Sequence, residues 1–192
     1  MKKLVVIDAC VRQGESRTRR IGDRIVEAIK ARYNEIHRYN LAEMPQIAPL
    51  TPETYAQRSN GIIPEWAAEA AGRIAAADAI VIMAPFWDMS FPAVLKCFLE
   101  QVSLFGITFD DNGETCVGLC KKAPVLYITT RGMDIRTGSA REQATPYLKA
   151  LASLWGLGKV TTIAAANMDY SSPEEIEVKI KTAIKKGLKV LP

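Results

Sequence analysis

Ala79-Ile80-Val81-Ile82-Met83-Ala84-Pro85-Phe86-Trp87-Asp88-Met89-Ser90-Phe91-Pro92-Ala93-Val94-Leu95-Lys96 decides the fold, because an unbroken apolar run gives way to an aromatic corner and then to a helical period. The run 79–84 is short, continuous and rich in β-branched residues, as a strand buried on both faces should be. Two prolines bracket two aromatics and a carboxylate just beyond its carboxyl end. Such a corner is poor core material and good material for gripping a flat ligand, with a redox-active ring the first candidate.

Outward from this stretch the same grammar repeats. Residues 4–7, 125–129 and 160–165 are further continuous apolar runs, and 35–41 is a more polar one whose His37, Arg38 and Asn40 suit a sheet edge. Between the runs lie helical periods: Ile21, Ile25 and Ile29 at spacing four, then 66–74, 94–102 and 144–154. The last helix has the clearest start, with Ser172 to cap, Pro173 at the first helical position and Glu175 to complete a capping box. Alternating strands and helices predict an α/β fold, a three-layer doubly wound parallel sheet of five strands in the order 2-1-3-4-5. Residues 42–64 are proline-rich and aperiodic, read as a lid or partner contact, and 107–122 as an inserted excursion, a hairpin turning at Asp111, Asn112 and Gly113.

Composition bounds the answer. The 192 residues suit one domain, 1–192, with 48% hydrophobic and 24% charged residues. Twenty-five Lys and Arg against 21 Asp and Glu leave a net charge of +4, which favours anionic ligands slightly and nucleic acid hardly at all. Basic residues gather at Arg17, Arg19 and Arg20, and again over 179–189, the latter reading as a solvated helix face. The cysteines Cys10, Cys97, Cys116 and Cys120 form no secreted framework, the amino terminus is no signal peptide, and no apolar stretch reaches a membrane span. A cytoplasmic protein is expected. Cys116 and Cys120 lack the partners of a metal site, so no metal is expected.

In an open parallel sheet, ligands bind beyond the carboxyl ends of the strands where the winding reverses. The first such loop carries Cys10, Arg12, Ser16, Arg17 and Thr18 and runs straight into a helix. Cations in a first helical turn oppose the macrodipole at a cost of about 0.3–1 kcal/mol each, and a bound anion reverses that sign. Ser16, Thr18 and open backbone amides then cradle a phosphate, with Arg12 or Arg17 neutralising it; an exposed basic turn capped by Ser16 is the plain alternative. The second loop is Pro85, Phe86, Trp87, Asp88 and Met89, also readable as a hydrophobic corner packed on the next helix. The third is Thr130, Arg131, Gly132 and Met133. Neither the Walker pattern nor the dinucleotide glycine fingerprint is present, which disfavours an ordinary nucleoside triphosphatase or dehydrogenase.

These loops resemble those of the FMN-dependent azoreductase and NAD(P)H:quinone oxidoreductase family of the flavodoxin-like fold. The likeness is carried by Pro85 to Met89 with Pro92, Leu95 and Lys96, by Gly106, Ile107, Thr108 and Phe109, by Gly118, Leu119, Lys121 and Lys122, by Thr130, Arg131 and Gly132, and by Tyr147, Leu148, Trp155 and Gly156. The resemblance implies that Cys10, Ser16, Arg17 and Thr18 hold the FMN phosphate, that Phe86 to Met89 pass along the isoalloxazine edge, and that Thr130 to Met133 close over its polar end. It implies two-electron transfer from NAD(P)H through FMN to a quinone, azo or similar small acceptor, in a homodimer whose second subunit completes the acceptor pocket. No catalytic side chain is required, and His37 is not expected to be one.

Three positions depart from the family pattern: Cys10 replaces a customary serine, Asp88 an asparagine and Met133 a second glycine. A carboxylate at Asp88 would oppose negative charge on the ring. Two rivals share the fold. A flavodoxin-like electron carrier would use the same FMN site, although such carriers are usually acidic. A low-molecular-weight phosphatase would use Cys10, but it needs an arginine six positions later, where Ser16 stands.

Overall fold

A computed structural model of the chain describes residues 1–191. Five parallel strands form the sheet: β1 (Lys3–Asp8), β2 (Glu35–Asn40), β3 (Ala79–Met83), β6 (Val125–Thr130) and β7 (Val160–Ala165), in the spatial order β2-β1-β3-β6-β7. Counting only these five gives 2-1-3-4-5, the expected order. A separate antiparallel hairpin, β4 (Phe109–Asp111) with β5 (Cys116–Gly118), interrupts the alternation, as the turn residues at 111–113 foretold.

Strand side chains alternate between two apolar clusters because successive residues point to opposite faces. Leu4, Val6, Val81, Met83, Leu126 and Ile128 join the cluster that includes Ile21, Ile25 and Ile29 of α1 (Arg17–Ile29) and Ile180 and Ala183 of α6 (Pro173–Gly187). Val5, Ile7, Ile80, Ile82, Val125 and Tyr127 join the cluster that includes Ala70 and Ile74 of α3 (Glu65–Ala75), Leu95 and Phe98 of α4 (Ala93–Val102) and Leu148 of α5 (Ala144–Trp155). Each fully buried isoleucine on α1 contributes about 1.5–3 kcal/mol. Gly22 lets α1 lie close on the sheet: a Cβ there would stand 1.9 Å from Met83 Sδ. That approach sets the start of α1 beside the ends of β1 and β3.

One expectation needs correction. The segment 42–64 is not aperiodic throughout, because α2 (Pro52–Ser59) forms within it behind a reciprocal cap between Thr51 and Thr54, with Pro52 at the first position. Trp66 is half-buried and stacks on Phe98 at 6.3 Å. The α6 start is as read, with Ser172 and Glu175 capping each other. Among the described residues, no helix is long and apolar enough to cross a membrane, and no cluster of potential metal ligands occurs.

Candidate functional site

The carboxyl ends of β1, β3, β6 and β7 surround a cavity of about 200 Å³. Its polar side is the loop after β1, where one 3-10 turn (Gln13–Glu15) leads into α1. Ser16 caps the helix by accepting from the Arg19 amide (3.2 Å), and the Arg20 amide is the first to find a backbone acceptor, Ser16 O at 3.0 Å. The amides of Arg17 and Thr18 are left open, as first-turn amides are. Thr18 is fully buried; its hydroxyl accepts from the Thr130 amide (3.1 Å) and lies 2.7 Å from the Thr130 hydroxyl, tying the helix start to the end of β6.

The three first-turn arginines are each matched by an acid from elsewhere in the chain. Arg19 Nε lies 2.9 Å from Asp8 Oδ2, whose carboxylate is fully buried and also meets Arg38 at 2.6 Å and the Cys10 amide at 3.1 Å. Arg20 donates twice to Glu177, at 2.6 and 2.5 Å, holding that carboxyl below the usual range. Arg17 Nη1 donates to Met168 O (3.3 Å) and Asp169 Oδ1 (3.4 Å). Arg12 pairs with Glu15 at 3.2 Å. The dipole conflict inferred from the sequence is therefore already offset within the chain, and least firmly at Arg17.

The apolar side follows β3. The Phe86 amide donates to Thr130 O (3.0 Å), splicing this loop onto β6. Trp87 and Ser90 exchange backbone bonds of 3.2 and 2.7 Å around Asp88 (φ +46°) and Met89 (φ +64°). Both central residues are left-handed, the mirror turn that asparagine and glycine favour, at a cost of about 1–2 kcal/mol for an ordinary side chain. The Gln143 amide pins Met89 O at 2.9 Å.

Behind Phe86 the Arg131 guanidinium carbon stands 5.2 Å from the ring centroid. Arg131 is fully buried; it donates to Ile135 O (2.7 Å) and Thr137 Oγ1 (3.0 Å) and lies 3.7 Å from the buried carboxylate of Glu142. Its Nε has no partner among the described residues, and burial lowers the pKa of the group. Gly132 leaves the space that the Asp169 carboxylate takes: a Cβ there would stand 2.1 Å from Oδ2, and Asp169 would have to turn away.

The flavodoxin-like fold profile matches residues 2–190. The chain belongs to that family. It is 30% identical, over 199 aligned positions covering 98% of this chain and 97% of the relative, to the FMN-dependent NADH:quinone oxidoreductase of Clostridium perfringens. Among solved structures, an azoreductase from Bacillus anthracis superposes with a TM-score of 0.82 at 18% identity, covering 99% of this chain and 98% of that one. An FMN-dependent NADH-azoreductase from the same species, solved in complex with FMN, superposes with a TM-score of 0.79 at 20% identity over the whole of both chains. At those identities the two structures speak for the fold.

Within this flavodoxin-like frame, Arg12, Ser16, Arg17, Pro85, Phe86, Trp87, Thr130, Arg131 and Gly132 line the cavity. Cys10, Thr18, Asp88, Met89 and Met133 do not. Cys10 is turned into the core, its Sγ 3.6 Å from Met83 O, and burial pushes its thiol far above the ordinary range. Turned away from the cavity, that thiol cannot reach a substrate bound there, which weighs against the phosphatase reading. Asp88 is exposed at the tip of its turn, and Thr18 acts through Thr130. The sequence reading missed Glu15, Met168 and Asp169; the signal for the last two was their place just beyond the fifth strand. His37 sits on the edge strand beside Glu35 (3.4 Å) and lines no part of the cavity. A larger hollow of about 260 Å³ lies between α2 and α4, and its one cation, Arg58, is occupied by the carbonyls of Glu100 and Ser103.

Proposed function

We propose that this chain, one domain over 1–192 with helices on both faces of a doubly wound, three-layer sheet, is an FMN-dependent NAD(P)H oxidoreductase. Its acceptors are quinones or azo compounds. The observation that carries this reading is the division of one cavity into an oxyanion end and an aromatic end. The residues present fit FMN. The open Arg17 amide, the Ser16 hydroxyl and the Arg17 guanidinium are donors suited to a phosphoryl group, while Phe86, Trp87 and the close backbone at Gly132 suit a flat ring. The amide of Gly132, which donates to nothing among the described residues, is hydrogen-bond capacity for its polar edge.

Bound there, FMN would supply two-electron redox chemistry between a reduced nicotinamide, NADH or NADPH, and the acceptor. The protein binds and orients. Ser16 and Arg17 hold the phosphoryl tail, Phe86 backed by Arg131 forms a rigid wall, and Trp87, 41% exposed, borders the mouth where donor and acceptor enter in turn. The exposed apolar side chains of Tyr55, Ile62, Trp87 and Phe105 support a homodimer in which a second subunit finishes that mouth. Four unbridged cysteines are consistent with a reducing cytoplasm. The basic net charge of +4 weighs against a protein-docking electron carrier.

The test is direct. Purified protein supplemented with FMN should oxidise NADH or NADPH in the presence of a quinone, with ping-pong kinetics. Protein that quenches no FMN fluorescence and oxidises neither nucleotide would reject the reading.

A further inference from the structure

Of the three acids that answer the first-turn arginines, Asp8 is buried beneath the loop and Glu177 grips Arg20 from α6 by two bonds. Asp169 differs. It lines the cavity, meets Arg17 by one contact of 3.4 Å, and both side chains remain open to water, 69% exposed for Asp169 and 42% for Arg17.

Its position is built into the chain. The amides of Asn167, Met168 and Asp169 donate to Met133 O, Arg131 O and Gly132 O at 3.0, 3.0 and 3.1 Å, binding the β7 loop to the β6 loop. Asn167 takes a left-handed φ of +59°, and Lys179 Nζ reaches Ala166 O, Asn167 O and Ser171 Oγ at 3.0, 3.2 and 2.6 Å. Gly132 supplies the space that the Asp169 carboxylate fills. Four separate features thus set a carboxylate on the one arginine best placed to receive a phosphoryl group.

We propose that Asp169 is an internal competitor for that group, a specificity-determining residue that lowers the affinity of the site for phosphorylated flavin. The proposal rests on the FMN reading above. A guanidinium presents a fork that matches one oxyanion at a time, so carboxylate and phosphate contend for Arg17. A phosphoryl group that wins the contest still sits beside a like charge. Both effects vanish when the carboxylate becomes an amide of the same shape, and neither touches a flavin without a phosphate. The result is a site that exchanges FMN readily.

The experiment titrates FMN and riboflavin, by flavin fluorescence, into the flavin-free full chain as wild type, Asp169→Asn and Asp169→Ser. Thermal melts confirm that both variants fold. The expected result is FMN binding about tenfold tighter in both variants, with riboflavin changed by less than about twofold. Unchanged or weaker FMN binding in the variants, while wild type still prefers FMN to riboflavin, overturns the competitor role and leaves the FMN reading intact. Equal affinities of wild type for the two flavins would instead remove the phosphate role of the site, and this proposal with it.

Discussion

The two ends of the cavity are made in different ways. At the oxyanion end an ordinary helix start offers open amides and a hydroxyl, and its charged side chains are matched one by one with acids that lie mostly at the surface. At the aromatic end the residues are held by backbone: a turn with Asp88 and Met89 both left-handed, a splice to Thr130, and a buried Arg131–Glu142 pair behind Phe86. The first end can lose a side chain and keep its shape. The second cannot, because its chemistry is inseparable from its stability.

That contrast can be broken most sharply at Arg131. Arg131→Ala leaves Glu142 as an uncompensated buried charge, and urea unfolding should show a loss of about 3–5 kcal/mol. A loss under about 1 kcal/mol would mean the aromatic end is no more coupled to the fold than a surface pair is. At the other end, Arg17→Ala should weaken FMN about 10- to 100-fold by removing a charged donor, with riboflavin binding and the urea midpoint unchanged. Equal losses for both flavins would erase the distinction between the ends.

Smaller effects sharpen it. Met89→Gly removes a side chain from a left-handed position and should raise stability by about 1 kcal/mol, read from the same urea curves. A destabilised variant would show that the turn is not strained. The least effect at neutral pH comes from the thiols. Burial raises Cys120 from its ordinary 9.0 to about 11 and Cys10 further still. A folded pKa above the unfolded one means the contribution is whole below pH 9 and is lost as pH rises toward 11. The thermal midpoint should therefore show no pH dependence from these thiols up to pH 9 and decline beyond it, a decline that Cys120→Ala reduces.

What was legible follows the same division. The five strands, the edge position of β2, the hairpin and the capped start of α6 rest on local patterns of apolar runs and caps. The loops flanking the cavity could be named from residue types: hydroxyls and arginines after β1, aromatics after β3. Cys10 was misplaced because the two-residue alternation of β1 continues past its end, so that Cys10 shares the buried side of Leu4 and Val6. The start signal of α2, Thr51 with Pro52 and Thr54, was masked by the surrounding prolines. Asp169 meets Arg17 across 152 residues of sequence, through a left-handed Asn167 and the reach of Lys179, and no local pattern encodes such a meeting. Arg131 offers its charge to the sequence reader as a ligand contact, whereas two of its donors are spent on Ile135 and Thr137 of its own loop and the whole side chain is buried.

A crystal structure of the full chain with FMN tests the central claim most directly. The account predicts the phosphate on the Arg17 guanidinium, the open Arg17 amide and the Ser16 hydroxyl, with the ring against Phe86 and beside Gly132. A phosphate bound instead in the neighbouring cleft of Arg19, Arg24 and Arg38, or a ring lying away from Phe86 and Trp87, would contradict it.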